Sequence, residues 1–360
     1  MHLYLHIPFC HRLCPYCSFY KHTPGKTDLA AFVEALVTEA NYAARSALPP
    51  LKTVYLGGGT PSMLSPKHLR RLFEGLHDVF DFSEIEEVTL EANPATFTTR
   101  TAHLYQELQI TRVSLGIQSF IAQHLEILGR EHTPMQAIQS VHLLRESTDL
   151  EVNIDLMFSI PNQTLLDWED TLTQALALQP EHLSAYNLTY EEDTEFFEKF
   201  ASGAFKADSN LDAQMFSLAD ELLTSHGYEH YETSNYALPG NRSKHNSGYW
   251  TGKDYLGLGP SAVSTIQRER WQNVCDTSAY LKQIAAVGHA RQQGEIIDDE
   301  AWRLERIALE LRTSEGLPLN YLTSGTNLSG IEHLIEMSDT HLKLIGDGPL
   351  LVDSIAAELA

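Results

Sequence analysis

Through the first half of the chain, short apolar runs alternate with longer stretches whose apolar residues recur every three or four positions. The short runs, at residues 3–7, 53–56, 87–91, 112–117, 151–157 and 182–188, read as strands. Helical periodicity fills the intervals. Asp28 caps a helix carrying Phe32, Leu36 and Val37, and Ser65 with Pro66 opens another with Leu69, Leu72, Phe73 and Leu76 on one face. Further helices cover roughly 99–108, 135–144 and 165–178, the last closed by Pro180. Strands alternating with helices predict parallel pairing through right-handed crossovers. The fold class is therefore α/β, as a doubly wound sheet or as a complete or partial barrel, and the pattern does not choose between them. In each of these, reactive groups gather at the C-terminal strand ends. A cysteine cluster follows the first strand, Gly57-Gly58-Gly59 follows the second, and Glu91 ends the third. Gln118 ends the fourth, and Asp155 lies near the end of the fifth.

The pattern changes near residue 190. An acidic, helix-like stretch at 191–200 precedes a helix near 212–226, and a loop-rich, aromatic region covers 227–259. A long helix near 298–312 follows, then small helices and a hairpin at 342–352 turning at Gly346-Asp347-Gly348. Three parts are expected: a core at 1–190, an extension at 191–260, and a compact, mainly helical, winged-helix-like C-terminal domain at 261–360.

Composition narrows the function. The net charge is −23 over 360 residues, and an acidic surface repels the phosphate backbone, which argues against nucleic-acid binding. No run approaches the ~20 apolar residues of a membrane span, and no basic segment precedes an apolar stretch at the start. The expectation is a cytoplasmic protein whose contact with membranes is confined to docking on membrane proteins. Of four cysteines, three fall in Cys10-His-Arg-Leu-Cys14-Pro-Tyr-Cys17 and Cys275 stands alone as a buried or free thiol.

A C-x3-C-x2-C loop can ligate three corners of an iron–sulfur cube and leave one iron open to a chelating ligand. A zinc site completed by His6, His11 or His22 is the alternative that spacing leaves open. Gly57-Gly58-Gly59-Thr60-Pro61 lets the backbone approach a ligand closely or simply makes a tight turn. Lacking a following Gly-Lys-Ser/Thr, it is no phosphate loop. Glu91 suits a ribose hydroxyl or an ammonium group, or is a solvated strand-end acid. Arg130 could pair with a ligand carboxylate, and Asp155, inside an apolar strand, needs a partner.

The cysteine spacing resembles that of the radical S-adenosylmethionine (SAM) superfamily, in which the amino and carboxylate groups of SAM chelate the fourth iron. The [4Fe–4S] cluster then supplies the electron that cleaves the sulfonium. Tyr4-Leu-His-Ile-Pro-Phe-Cys10, the GGGTP turn, Glu91-Ala-Asn-Pro, Ser114-Leu-Gly-Ile-Gln-Ser119, Leu128-Gly-Arg130 and Asn153-Ile-Asp155-Leu-Met occur in one order. That series resembles the oxygen-independent coproporphyrinogen III oxidase family over nearly the whole chain. The resemblance implies a radical SAM partial (βα)6 barrel with a smaller, mainly helical C-terminal domain. It implies a cluster on Cys10, Cys14 and Cys17, and SAM contacts from Tyr4, Tyr16, Gly58, Gly59, Thr60, Glu91, Gln118, Arg130 and Asp155.

The family has two branches. True oxidases, which decarboxylate two porphyrinogen propionates, carry a further cysteine two residues after the third; Phe19 stands there in this chain. They also carry an extension ahead of the first strand, whereas Met1 leads straight into it here. The haem-chaperone branch carries an HNxxYW motif, matched by His245-Asn246-Ser-Gly-Tyr249-Trp250. Histidine is a common axial haem ligand, and Tyr and Trp offer flat faces to a macrocycle; the bland alternative is a loop covering the second domain's core. The resemblance implies a protein that binds haem and delivers it to apo-haem proteins, including respiratory enzymes at the membrane, with homodimerisation left open. The alternative function is the oxidase itself.

Overall fold

The computed structural model describes every residue except 324 and 327. The six expected strands form as β1 (His2–Ile7), β2 (Thr53–Gly58), β3 (Glu87–Ala92), β4 (Arg112–Gln118), β5 (Glu151–Phe158) and β6 (His182–Asn187). Between them run α1 (Leu29–Ala43), α2 (Pro66–Val79), α3 (Thr99–Glu107), α4 (Ala122–Ile127), α5 (Pro134–Ser147) and α6 (Leu165–Ala177). Asp28 accepts hydrogen bonds from the amides of Ala30 and Ala31, and Ser65 from that of His68, which satisfies amides the first helical turn leaves open. Reciprocal Thr133–Gln136 and Thr164–Asp167 boxes start α5 and α6.

Strands β1 to β6 pair in parallel in sequence order and make the partial barrel. Their two faces differ. Leu3, Leu5, Ile7, Val54, Leu56, Leu90, Val113, Leu115, Ile154 and Leu156 are fully buried against the helices. The alternate positions point to the concave side and are polar: His2, Tyr4 and His6 on β1, Thr53 and Tyr55 on β2, Glu87 and Glu91 on β3, Asn153 and Asp155 on β5. A parallel sheet buried on both faces ordinarily reads as a continuous apolar run. The polar alternation here therefore marks a lumen that holds chemistry.

Beyond β6 come α7 (Glu195–Ala201), α8 (Ser209–Ser225), β7 (Glu229–Glu232), β8 (Asn235–Ala237), α9 (Lys244–Trp250) and β9 (Tyr255–Leu258). The region expected to be loop-rich thus carries three strands and a helix. Strands β10 (Val263–Ile266) and β11 (Glu269–Gln272), helix α10 (Thr277–Val287) and strand β12 (Glu295–Ile296) follow. The full sheet has twelve strands, with β9 parallel to β1, β10 to β12 continuing that edge antiparallel, and β8 and β7 extending the edge at β6.

A second core contains Ile307, Leu311, Leu317, Leu342, Val352, Ile355 and Leu359. It lies among α11 (Asp299–Glu310), β13 (Leu317–Pro318), β14 (Ile335–Met337), β15 (His341–Leu344) and α12 (Val352–Leu359). The boundary expected after residue 260 therefore falls within the twelve-stranded sheet, and the separate C-terminal core starts at α11. The hairpin expected at 342–352 does not form. β15 is already the middle strand of the sheet β13-β15-β14, with no free edge to offer, and the chain after Gly348 turns helical.

Candidate cluster and cofactor site

The cysteine loop leaves β1 and is closed at its base. Cys10 N donates to His22 O at 3.0 Å and His22 N to Pro8 O at 2.8 Å. The glycine turn on β2 grips the same segment, with Gly59 N donating to Ile7 O and Thr60 N to Phe9 O, both at 2.8 Å. Only glycine fits this turn. Gly58 has φ +104° and a Cβ there would meet the His6 ring at 2.5 Å; a Cβ on Gly59 would lie 2.7 Å from Ile7 O. Thr60 Oγ1 reaches Cys10 Sγ at 3.7 Å and Arg130 Nη1 reaches Cys14 Sγ at 3.6 Å. Burial pushes the Cys10 thiol up, with the Thr60 hydrogen bond and Lys21 opposing it. A bound metal's own charge reverses that preference.

Two of the three candidate fourth ligands for zinc are already engaged. His6 is bonded through Nδ1 to Tyr4 OH and through Nε2 to Tyr20 O; His22 is bonded to Thr23 O and Thr277 Oγ1; His11 is exposed. Among the described residues no three Cys, His, Asp or Glu side chains converge on one metal position. Three thiols borne separately on one loop suit the corners of an iron–sulfur cube. Cys275 is an exposed free thiol beside Ser261.

Beneath the loop, the lumen gathers Glu91, Asp155, Gln118 and Arg130. Glu91 Oε1 accepts from Tyr55 OH at 2.8 Å and Oε2 from Gly58 N at 3.0 Å. Burial nevertheless pushes the Glu91 carboxyl up to about 7, and the nearby Asp155 adds to the rise. Asp155 accepts from Ser114 Oγ at 2.7 Å and Asn153 Nδ2 at 2.8 Å, yet burial raises it as well. Two buried acids whose charged forms are penalised favour a cationic ligand between them. Arg130 Nη2 donates to Asn93 Oδ1 at 2.5 Å and Gly116 O at 2.6 Å, while its buried Nε has no partner. A buried N–H without an acceptor suits a ligand carboxylate. Gln118 sits at φ +68°, beside the β-bulge that ends β4, a strained placement for a side chain at a site. An amino acid with an ammonium, a sulfonium and a carboxylate matches these groups, so SAM fits.

Tyr4 and Tyr16 flank the site, Tyr4 against the His6 ring and Tyr16 against Phe196. Two residues that the sequence did not single out belong to it. Tyr55 holds Glu91, and Asn93 bridges Thr60 Oγ1 at 3.0 Å to Arg130. Inward parity with Thr53 and Gly57 on β2 was the available signal for Tyr55. Phe19 is 67% exposed on the rim of the cysteine loop.

The HNxxYW segment forms α9 and lies at the other end of the lumen. Glu87, first residue of β3, accepts from the amides of Lys244 and His245 at 2.9 and 3.1 Å and from Ser243 Oγ at 3.3 Å. His245 is 0% exposed, with Nδ1 2.7 Å from Thr53 Oγ1 and Nε2 2.9 Å from Tyr249 OH. No ring nitrogen is free for iron in this arrangement, unlike the open ligand expected. Asn246 N is held by the Ser243 cap, and Trp250 packs edge-on to Tyr231 while its carbonyl accepts from Arg306. The motif is thus a packed floor of the barrel.

A three-thiol loop after β1, a glycine turn on β2, acids on β3 and β5 and an arginine in the loop after α4 define a radical SAM protein, and residues 4–175 match the Radical SAM superfamily. The chain is 33% identical over 315 residues to the heme chaperone HemW of Lactococcus lactis, covering 87% of this chain and 82% of that protein. It is 31% identical to the heme chaperone HemW of Bacillus subtilis over 367 residues, covering 98% of this chain and 97% of that protein. The chain belongs to the HemW family. Its fold is also that of a solved structure of coproporphyrinogen III oxidase (HemN) from Escherichia coli, with TM-score 0.85, 21% identity, and coverage of 99% of this chain and 89% of that one.

Proposed function

We propose that this protein is a haem chaperone, binding haem and passing it to apo-haem proteins. The observation that carries the reading is its end-to-end kinship with HemW, which spans 97% of the Bacillus subtilis protein. Phe19, exposed where the resembling oxidases carry a further cysteine, supports it against coproporphyrinogen oxidation. In this reading Cys10, Cys14 and Cys17 hold the [4Fe–4S] cluster. Tyr4, Tyr16, Gly58, Gly59, Thr60, Glu91, Gln118, Arg130 and Asp155 bind SAM. Glu91 and Asp155 face its cationic groups, and Arg130 its carboxylate. His245, Asn246, Tyr249 and Trp250 serve haem; ligation of iron by His245 would require α9 to undock from Thr53 and Tyr249 to give up its bond. Among the described residues no helix is long and apolar enough to cross a membrane, so delivery to respiratory enzymes would proceed by docking on them.

The test is anaerobic reconstitution with iron and sulfide, followed by haem titration and a coproporphyrinogen assay in parallel. The expected outcome is a shifted Soret band and no protoporphyrinogen even with SAM and reductant. Robust decarboxylation would overturn the reading in favour of the oxidase.

A further inference from the structure

One line of contacts runs from the barrel floor to the cofactor pocket. The His245 ring lies over Tyr55, with centroids 4.9 Å apart and planes at 30°. Tyr55 OH donates to Glu91 Oε1 at 2.8 Å, and the other oxygen of Glu91 accepts from Gly58 N at 3.0 Å. Nothing at position 57 steadies this pair. A Cβ there would lie 2.8 Å from Tyr55 Cε1 and 2.9 Å from Glu91 Oε1, so the space belongs to those two side chains. Tyr4 meets Tyr55 only at 6.2 Å, tilted. The close flat contact on the Tyr55 ring is His245.

His245 is itself fixed. Thr53 Oγ1 lies 2.7 Å from both His245 Nδ1 and His2 Nδ1. A hydroxyl carries one proton and can give it to only one of the two rings, so at least one ring donates to it. With Tyr249 OH donating to His245 Nε2, Nδ1–H donates to Thr53 and Thr53 donates to His2, an order that uses every partner once. Burial holds His245 well below the usual histidine range, which keeps the ring neutral as that order requires. Helix α9 also approaches the His2 ring closely, since a Cβ on Gly248 would sit 2.3 Å from His2 Nε2.

We propose that His245 is a positioning residue of the SAM pocket, holding the Tyr55 ring so that its hydroxyl fixes the Glu91 carboxylate facing the ligand's cationic groups. This rests on the reading of Glu91 as a SAM contact. It gives the HNxxYW helix a task inside the radical SAM domain, and in the docked state that task excludes iron ligation by the same ring.

The test is SAM titration of the reduced, reconstituted protein, followed by the EPR signal of its cluster, for His245→Ala, Tyr55→Phe, the double variant and Glu91→Gln. The Soret band of added haem is recorded alongside. His245→Ala and Tyr55→Phe should each weaken SAM binding roughly tenfold, the size of one hydrogen bond to a charged group. The double variant should weaken it no further than the worse single, since both act through one contact. Iron content should match wild type. Additive losses, or wild-type SAM affinity in Tyr55→Phe, overturn the relay even if His245→Ala proves too unstable to purify. A changed Soret band with unchanged SAM affinity in His245→Ala also overturns it and returns the ring to haem. Wild-type SAM affinity in Glu91→Gln would instead sink the Glu91 reading on which the relay depends.

Discussion

At the scale of single residues, burial without full compensation is the recurring feature. Arg130 spends Nη2 on Asn93 and Gly116 and Nη1 on Cys14, which leaves its buried Nε without a partner. Arg130→Ala should lower SAM affinity by about 2–3 kcal/mol, or roughly 30- to 150-fold, because a charge-assisted contact is lost. Equilibrium dialysis with labelled SAM measures this, and unchanged affinity would remove Arg130 from the pocket. Glu39, outside the site, shows burial acting on the fold itself. It accepts from Gly259 N at 2.9 Å, Asn273 Nδ2 at 2.7 Å and Tyr280 OH at 2.7 Å, yet burial pushes its carboxyl up to about 7. Its unfolded value is near 4.5. Between those values the unfolded chain has released a proton that the folded chain still binds. The stability Glu39 contributes is therefore full below about pH 4.5 and is lost as pH rises through 7. Glu39→Gln should flatten the fall in urea-measured stability between pH 5 and 8, by up to about 3 kcal/mol. An unaltered slope in the variant would place the effect on another group.

At the scale of elements, α9 owes its position to Glu87, which fills the role of a helix cap from a neighbouring strand. Glu87→Ala should cost about 2–3 kcal/mol, since it leaves the buried His245 amide and the part-buried Lys244 amide open and strips the buried Arg112 of one partner. Guanidinium denaturation tests this, and a loss under about 1 kcal/mol would mean water replaces the carboxylate. Elements also set what was legible. The six βα units stood out because each strand carries several apolar residues on its helix-facing side and α1 and α2 open at the recognisable caps Asp28 and Ser65. Strands β7 to β12 did not, being two to four residues long, with β8 and β9 placed by the distant strands β6 and β1. The glycine pair at 346 and 348 looked like a hairpin turn; only the occupied edges of β15 rule that out. In the site, Cys10, Cys14, Cys17 and the glycine turn announce themselves by spacing. Tyr55 and Asn93 do not, because their role lies in reaching across the lumen to Glu91 and Arg130. His245 was recognisable as part of a motif, but its enclosure by Thr53, Tyr55 and Tyr249 is a product of packing between β2 and α9.

At the scale of the whole molecule, a net charge of −23 acts on two ligands with opposite sign. SAM, with an ammonium, a sulfonium and one carboxylate, is drawn toward an acidic protein and finds Glu91 and Asp155 in the lumen. Haem brings two propionates and is repelled by the same field. Screening over a Debye length of about 10 Å at 0.1 M salt weakens both effects. Raising salt from about 20 to 300 mM should therefore slow SAM association and speed haem association, each by a fewfold, the scale expected of long-range steering. Stopped-flow mixing of reconstituted protein with each ligand reads this directly. A haem on-rate that falls with salt would show that a local cationic surface captures the propionates and dominates the global field. The opposed slopes matter for a carrier. A field that resists haem entry acts chiefly on the on-rate, so how long the carrier keeps its haem rests on the short-range contacts at the haem site itself.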